Sequence, residues 1–353
     1  MKELPPLPTP RGPLTDHLIG RLTRDPHELA PIDPEVTEDP LSDDDLHLAL
    51  YLLYELHYRG LPGVDDRWEW EPSVLALRRQ LEGLFERALL DAVPLERVRV
   101  APEDMDLALR AIAEEDSPPL SRYIKSQATL DEVREFVVHR SAYQLKEADP
   151  HSWAIPRLSG APKAALVEIQ TDEYGRGRPD WMHAELFARA MRALSLDDTY
   201  GAYLALIPGL TLATVNLMSL FGLHRRWRGA IVGHLALFEM TSSIPNRRYA
   251  DGLRRLGLSG DATLFFDEHV AADAVHENIA AVDLAGGLAR QEAATAPTIL
   301  WGARTLALLD ARWAGHLLGC WERDETSLRS ELQAVGSPEA HELMGPVAER
   351  LQL

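Results

Sequence analysis

The chain has little cysteine, a deficit of positive charge and almost no segment that alternates apolar and polar residues. Cys320 is the only cysteine among 353 residues, so no disulfide can form within the chain, and we expect a reducing, cytoplasmic setting. Lysine and arginine number 36 against 55 acids, for a net charge of −19, which argues against nucleic acid as a partner. Without strand-type alternation, the chain is predicted to be all-α.

Several catalytic motifs are also missing. The sequence contains no glycine-rich phosphate loop, no G-x-S-x-G elbow and no CxxC pair. The first stretch, "MKELPPLPTPRGPLTDHL", lacks the apolar run of a secretory signal. Residues 1–45 are rich in proline and aspartate, and we expect them to form a largely disordered arm.

One uncharged segment is long enough to span a bilayer, "TYGAYLALIPGLTLATVNLMSLFGL" from Thr199 to Leu223. Pro208 and Gly209 interrupt it, several polar residues follow, and no second span accompanies it. A helix that is apolar on all sides can also lie at the centre of a large helical domain. We therefore predict a central helix and no membrane partner.

Helical periodicity recurs along the rest of the chain. Residues 46–118 are predicted to form an N-terminal helical section that could support a homodimer, with a weak boundary at Pro118-Pro119. Residues 119–353 are predicted to form the main helical bundle.

The stretch "FFDEHVAADAVHE", Phe265 to Glu277, carries a possible set of metal ligands. His269, Asp273 and His276 stand at i, i+4 and i+7, within about 40° of one another around a helix of 3.6 residues per turn. Two imidazoles and a carboxylate suit iron, zinc or manganese. A solvated polar face is the other interpretation of the same spacing.

Four further residues could complete a metal site. Glu239 lies in an otherwise apolar helical run, where a carboxylate is costly unless it is paired or bound to metal. Glu173 and His183 flank "YGRGRPD", whose glycines and proline allow a sharp turn that could aim both side chains at one point. Glu147 precedes Asp149-Pro150, near the end of a predicted helix. Taken singly, each is equally compatible with a structural role.

Together these stretches resemble the heme-oxygenase-like diiron oxidases and oxygenases. The resemblance rests on "YQLKEADPHSW", "ALVEIQTDEYGRGRPDWMHAELF", "LHRRWRGAIVGHLALFEMTSSIP" and "FFDEHVAADAVHE". It implies a heme-oxygenase-like helical bundle with an N-terminal helical extension. It also implies a ligand set that falls on Glu147, Glu173, His183, Glu239, Asp273 and His276. Some members add a histidine four residues before the aspartate, a place that His269 holds.

The resemblance further implies two Fe(II) ions, O2 as co-substrate and an external reductant. Members with the extra histidine oxygenate amine nitrogens, so we expect N-oxygenation of an amine or guanidine in a small-molecule substrate. The alternatives are C–C cleavage, desaturation or decarboxylation of an amino or fatty acid, a heme or cofactor-free enzyme, and a non-catalytic helical interaction protein. We expect Glu168, His234 and Glu277 to lie beside the ligands or the substrate; the electron donor is not encoded.

Overall fold

The structure of the chain is a computed structural model, which describes residues 5–35, 37–95 and 100–330. Within those ranges the secondary structure is helical, with no β-strand, as predicted. In chain order the first helices are α1 Pro13–Leu22, α2 Asp44–Glu55, α3 Pro72–Ala92, α4 Met105–Ala113, α5 Leu120–Ser126, α6 Leu130–Gln144 and α7 Asp149–Ser152. They continue with α8 Gly160–Glu173, α9 His183–Ala193, α10 Gly209–Leu223, α11 Arg228–Arg255, α12 Asp261–Asn278, α13 Gly287–Gln291 and α14 Ala296–Trp321. A π-helical segment, Ile279–Gly286, joins α12 to α13.

Local sequence explains where several helices begin. Thr129 and Glu132 form a capping box at the start of α6, in which each side chain accepts a hydrogen bond from the other residue's backbone N–H. Asp43 caps α2 by accepting from the Leu46 N–H at 2.8 Å. Pro72 occupies the first turn of α3, where its missing N–H costs nothing.

The long helix α11 lies at the centre of the bundle, packed against α12 and α14. Its crossing with α14 is close because glycines face the opposing backbone. A Cβ at Gly233 would overlap the carbonyl group of Ile299, and a Cβ at Gly302 would overlap that of Ala230. This close contact fixes the position of α11, which also carries Glu239.

The N-terminal helices pack on this bundle. Helix α2 lies against α10, where Asn216 donates to the His47 carbonyl at 2.9 Å, and α4 lies against α11 and α14. A division of the chain near residue 118 therefore stays a prediction.

The expectation of a disordered arm is wrong for the described residues before position 45. Helix α1 buries Leu14, Leu18 and Leu22, and Asp45 accepts hydrogen bonds from the backbone N–H groups of Leu14 and Thr15 at 2.8 and 2.9 Å. The prediction of disorder rested on the content of proline and aspartate. In the structure, Asp45 instead binds the N-terminal N–H groups of α1, and the leucines of α1 pack in the core. Residues 1–4 and 36 of the predicted arm lie outside the described residues.

Replacing Leu18 by alanine should therefore destabilise the protein. The side chain is fully buried, and a Leu→Ala change in a core costs about 2–5 kcal/mol. We expect the thermal midpoint to fall by roughly 4 °C or more. The exposed Thr23→Ala change, just after α1, is the control and should shift the midpoint by under about 1 °C. Equal midpoints for both variants would show that α1 does not contribute to the core.

The uncharged segment Thr199 to Leu223 is not one helix. Residues 199–207 form turns, and α10 begins only after Pro208, whose ring fits just before a first helical turn. Helix α10 is buried along most of its length. Among the described residues, no helix is both long and apolar enough to cross a membrane.

Candidate metal centre

The predicted ligands come from four separate places in the fold. His269, Asp273 and His276 lie on α12, which confirms the helix predicted from their spacing, and Glu239 lies on α11. Glu147 is not in a helix: α6 ends at Gln144, and Glu147 follows in a turn.

A sharp turn brings the remaining pair together. Glu173 ends α8 and His183 begins α9, with Gly175 between them at a φ of 67°. A Cβ at Gly175 would lie 2.6 Å from the backbone carbon of Trp181, so only glycine fits this turn. Glu173 and His183 consequently face each other, with His183 Nδ1 2.7 Å from Glu173 Oε2.

Six of the seven residues form two overlapping groups of potential ligands. One comprises Glu147, Glu173, His183 and His269, and the other comprises Glu173, Glu239 and His276. Within each group one ligand atom per residue lies within 4.8 Å of the others, and every member is buried. Glu173 belongs to both groups, as a carboxylate that bridges two cations would.

The contacts within the groups pair imidazole nitrogens with carboxylate oxygens. His269 Nε2 lies 3.4 Å from Glu147 Oε1. His276 Nδ1 lies 3.4 Å from Glu239 Oε2 and 3.9 Å from Glu173 Oε1. All these atoms are therefore directed to a common interior space.

Neighbouring groups determine which nitrogen of each α12 histidine faces that space. His269 Nδ1 lies 2.8 Å from the Phe265 carbonyl oxygen, so Nδ1 donates to that oxygen and Nε2 is the nitrogen directed at the space. His276 Nε2 lies 3.2 Å from Asp172 Oδ2, which leaves Nδ1 toward Glu239. Arg176 holds the Asp172 carboxylate with two hydrogen bonds of 2.6 and 2.7 Å. Such support of ligating histidines is common at metal sites.

Asp273 lies at the same space without joining either group. Its Oδ1 is 3.9 Å from His276 Nδ1, and its Oδ2 accepts a hydrogen bond from Ser242. A small cavity touches Asp273 together with Glu147, Glu173, Glu239 and His269. Asp273 thus lines the centre, with one carboxylate oxygen held by α11.

The electrostatics of the centre follow from the burial of acids and histidines side by side. Burial raises the pKa of Glu239 to about 8, reinforced by Asp273 and Glu173 although His276 opposes it. Burial also acts to raise the pKa of Glu173, but His183, His269 and His276 outweigh it and lower that pKa to about 2. Burial acts to lower the pKa of His276, yet Glu239 and Glu173 raise it to about 9. Burial also acts to lower the pKa of His269, but the neighbouring carboxylates, Glu147 above all, raise it.

Several buried polar atoms of the centre have no hydrogen-bond partner among the described residues: His183 Nδ1, His276 Nδ1 and Glu147 Oε2. Buried polar atoms rarely stay unsatisfied. His183 Nδ1 and Glu173 Oε2 are close but are not aligned for a hydrogen bond to each other. Carboxylate oxygens and imidazole nitrogens directed at one space fit bound iron ions.

A comparison with known families agrees with this donor set. A sequence model of the iron-containing redox enzyme family matches residues 134–311, just over half of the chain and all of the predicted ligands. The chain belongs to the iron-containing redox enzyme family. No curated protein matches the chain. Family membership and the buried histidine–glutamate cluster together support an oxidoreductase that uses iron, on an all-α, heme-oxygenase-like fold.

In this iron-containing redox enzyme, the turn that carries Glu147 is strained and held from several sides. Ala148 has a φ of 74°, which a residue with a Cβ rarely adopts. Arg59 donates to the Leu145 carbonyl and Gln170 to the Ala148 carbonyl, both at 2.8 Å. The Lys146 ammonium donates to Glu55 at 2.7 Å, with both side chains almost fully buried. These contacts hold the turn, and Glu147 with it, in one position.

Replacing Glu55 by glutamine should damage both stability and the Glu147 turn. It leaves the Lys146 ammonium buried without a counter-charge, a loss of about 3–5 kcal/mol. The thermal midpoint should fall by roughly 5 °C. The control, Glu325→Gln, breaks the exposed Arg323–Glu325 pair and should cost under about 1 kcal/mol. If Glu55→Gln has the same thermal midpoint as the wild type, the buried pair of Glu55 and Lys146 does not hold the turn.

Two residues expected beside the ligands are elsewhere, and the prediction is wrong for both. Glu168 is exposed on α8, because five residues before Glu173 is roughly 140° away around the helix. Glu277 lies at the surface and pairs with Arg110 of α4 at 2.8 Å. His234 is buried and reaches the centre only indirectly, through a 3.1 Å contact between its Nδ1 and His151 Nε2.

Sequence reasoning missed two residues at the centre. His151, in the quoted "YQLKEADPHSW", is buried and lines the small cavity beside Glu147 and Glu173. Burial lowers the pKa of His151 to about 4, so it is neutral near pH 7. Asp172 orients His276, as described above. Its position directly before Glu173 was a usable signal, since a ligating histidine commonly has a carboxylate partner.

Proposed function

We propose that the protein is a non-heme diiron enzyme that uses O2 to oxidise a small molecule. The observation that carries this proposal is the presence of Glu173 in both groups of potential ligands. A carboxylate shared by two donor sets is what a two-metal site needs, with its ions about 3.5–4 Å apart.

The two donor sets would hold one iron each. Glu147, His183 and His269 would bind the first ion, Glu239 and His276 the second, and Glu173 both. Asp273 would complete the second set if its oxygen turned from the Ser242 hydroxyl. Two Fe(II) ions bound there would supply the activation of O2, with electrons from an external reductant.

The protein's own residues prepare the site in other ways. The Phe265 carbonyl and the Asp172 carboxylate hold the His269 and His276 rings in the orientations required for binding. Tyr143, Leu235 and Phe238 form the apolar part of the wall of the small cavity. Apolar walls of this kind protect an oxidising site from side reactions.

For the reaction itself we propose N-oxygenation of an amine or guanidine. The support is the third imidazole, His269, whose Nε2 is directed at the centre beside Glu147. C–C cleavage, desaturation or decarboxylation would use the same donor set. Product analysis after turnover with iron, reductant and O2 separates these reactions, because only N-oxygenation adds one oxygen atom and leaves the carbon skeleton intact.

The metal content tests the proposal most directly. Protein reconstituted anaerobically with Fe(II) should bind about two irons per chain. The Glu168→Ala variant is the matched control, since this glutamate is exposed, and it should bind iron as the wild type does. A content that stays below about one iron per chain after reconstitution would contradict a two-iron site.

A further inference from the structure

A large cavity lies next to the metal centre and shares part of its wall with the small cavity there. The cavity has a volume of about 600 Å³ and is enclosed mainly by α6, α11, α12 and α14. Phe238, Ser242 and His269 line both this cavity and the small one that touches the ligands. A molecule bound in the large cavity can therefore present one end to the metal ligands.

One part of the cavity wall is a continuous row of aromatic rings. Ring contacts run without a gap from His269 through Phe265, Phe266, Tyr249 and Phe136 to Trp313, with centroid separations of 4.3, 5.2, 5.9, 4.6 and 5.9 Å in that order. Such a wall favours an apolar or extended hydrocarbon body.

Besides Glu115, Asp116 and Arg304, the cavity wall carries two opposite charges, Arg140 on α6 and Asp310 on α14. Asp310 makes no hydrogen bond and no contact ion pair with any described residue. Burial raises its pKa, and Arg140 is the charge that opposes this rise. Asp310 is half-buried in the cavity wall, and a partly desolvated carboxylate without a contact partner is available to a cationic group of a ligand.

Arg140 is held in place but retains capacity for a ligand. Its guanidinium stacks over the Trp313 ring at 4.6 Å from the centroid, and no carboxylate of the described residues forms a contact ion pair with it. Arg140 also lies beside the Tyr249 hydroxyl. Burial raises the pKa of Tyr249, and the positive charge of Arg140 opposes that rise. A stacked guanidinium keeps its N–H edge free for a carboxylate.

Arg140 lies away from the metal ligands along α6. Arg140 precedes Gln144 by one helical turn, about 6 Å, and Glu147 comes after the helix has ended. Gln144 also lines the cavity, and its buried Oε1 has no partner among the described residues.

We infer that Arg140 and Asp310 form a recognition site for the head of a small zwitterion, with Arg140 binding a carboxylate and Asp310 an ammonium group. The body of this amino carboxylate extends along the aromatic wall, and its far end reaches Ser242 and His269. The inference rests on the proposed function and narrows it: the ammonium group held by Asp310 is not the oxidised atom, and oxidation falls on the far end of the molecule.

Three six-carbon probes separate the contributions of the two charges. Norleucine carries both head groups, hexylamine only the amine, and hexanoate only the carboxylate. Calorimetric titration of the full-length, Fe(II)-loaded protein without O2 should show norleucine binding at least about tenfold more tightly than either other probe. Arg140→Met should weaken norleucine and hexanoate but not hexylamine, and Asp310→Asn should weaken norleucine and hexylamine but not hexanoate.

Two further variants test whether a loss of affinity has a structural cause. Arg140→Lys keeps the charge and should retain part of the norleucine affinity. Arg304→Met, at the exposed rim of the cavity where Arg304 pairs with Glu115, should leave the affinity within about twofold. Hexylamine or hexanoate binding as tightly as norleucine overturns the inference, and so does a norleucine affinity that neither Arg140→Met nor Asp310→Asn changes. The iron content of the same samples tests the diiron proposal separately, because Arg140 and Asp310 are not among its ligands.

Discussion

Glu173→Gln should remove most of the iron that the protein can bind, whereas Glu239→Gln should remove about half. The reason is that Glu173 belongs to both ligand groups and Glu239 to only one. We expect the iron content after anaerobic reconstitution to fall from about two per chain to below one for Glu173→Gln, and to about one for Glu239→Gln. Elemental analysis of both variants and the wild type, reconstituted side by side, measures the difference.

The two variants control for each other, since each replaces one buried glutamate by its amide in the same cluster. Circular dichroism and the thermal midpoint of the iron-free proteins show whether either variant has lost its fold. If both folded variants keep the same amount of iron, Glu173 does not bridge two ions, and a site of a single metal becomes the better description.

The metal centre could be predicted largely from the sequence because two of its elements are local. The spacing of His269, Asp273 and His276 places them on one helical stripe, and α12 forms as expected. The glycines and proline between Glu173 and His183 permit a sharp turn, and the turn brings these side chains to 2.7 Å. In both cases the geometry follows from a few neighbouring residues and from backbone sterics.

Most of the errors arose where the answer depended on distant partners, and the one on Glu168 came from local helix geometry. Composition predicted a disordered arm, but burial of Leu14, Leu18 and Leu22 depends on surfaces that later helices supply. Glu168 is close to Glu173 in sequence, yet it faces solvent on the other side of α8. The Glu147 turn is also held by the ion pair of Glu55 and Lys146. These two residues are 91 positions apart, so no local sequence pattern indicates their contact. A cytoplasmic location, a homodimer and the absence of nucleic-acid partners stay predictions.

The crossing of α11 and α14 should be the part of the fold least tolerant of added volume. A Cβ at Gly233 would lie 2.6 Å from the Ile299 carbonyl carbon and 2.9 Å from its Cα, and closer still to the oxygen. These are backbone atoms, so no rotamer change can relieve the overlap and the two helices must separate. Since overpacking a core costs about 1–3 kcal/mol even where side chains can adjust, we expect Gly233→Ala to cost at least about 3 kcal/mol.

Differential scanning calorimetry should then show the midpoint of Gly233→Ala at least roughly 5 °C below that of the wild type. Glu239 lies on the same helix, so the displaced α11 should also hold less iron in the group that contains Glu239 and His276. Gly302→Ala adds a clash at the same crossing, so the double variant Gly233→Ala/Gly302→Ala should lose less than the sum of the single losses.

Gly20→Ala is the matched control, because Gly20 lies in α1 and a Cβ added there would meet no atom within 4 Å. That change should leave the midpoint unchanged or raise it, since alanine favours helix over glycine by about 1 kcal/mol. Equal midpoints for Gly233→Ala and Gly20→Ala would show that the helices can separate at this crossing without cost, and that α11 is not held in place by its contact with α14.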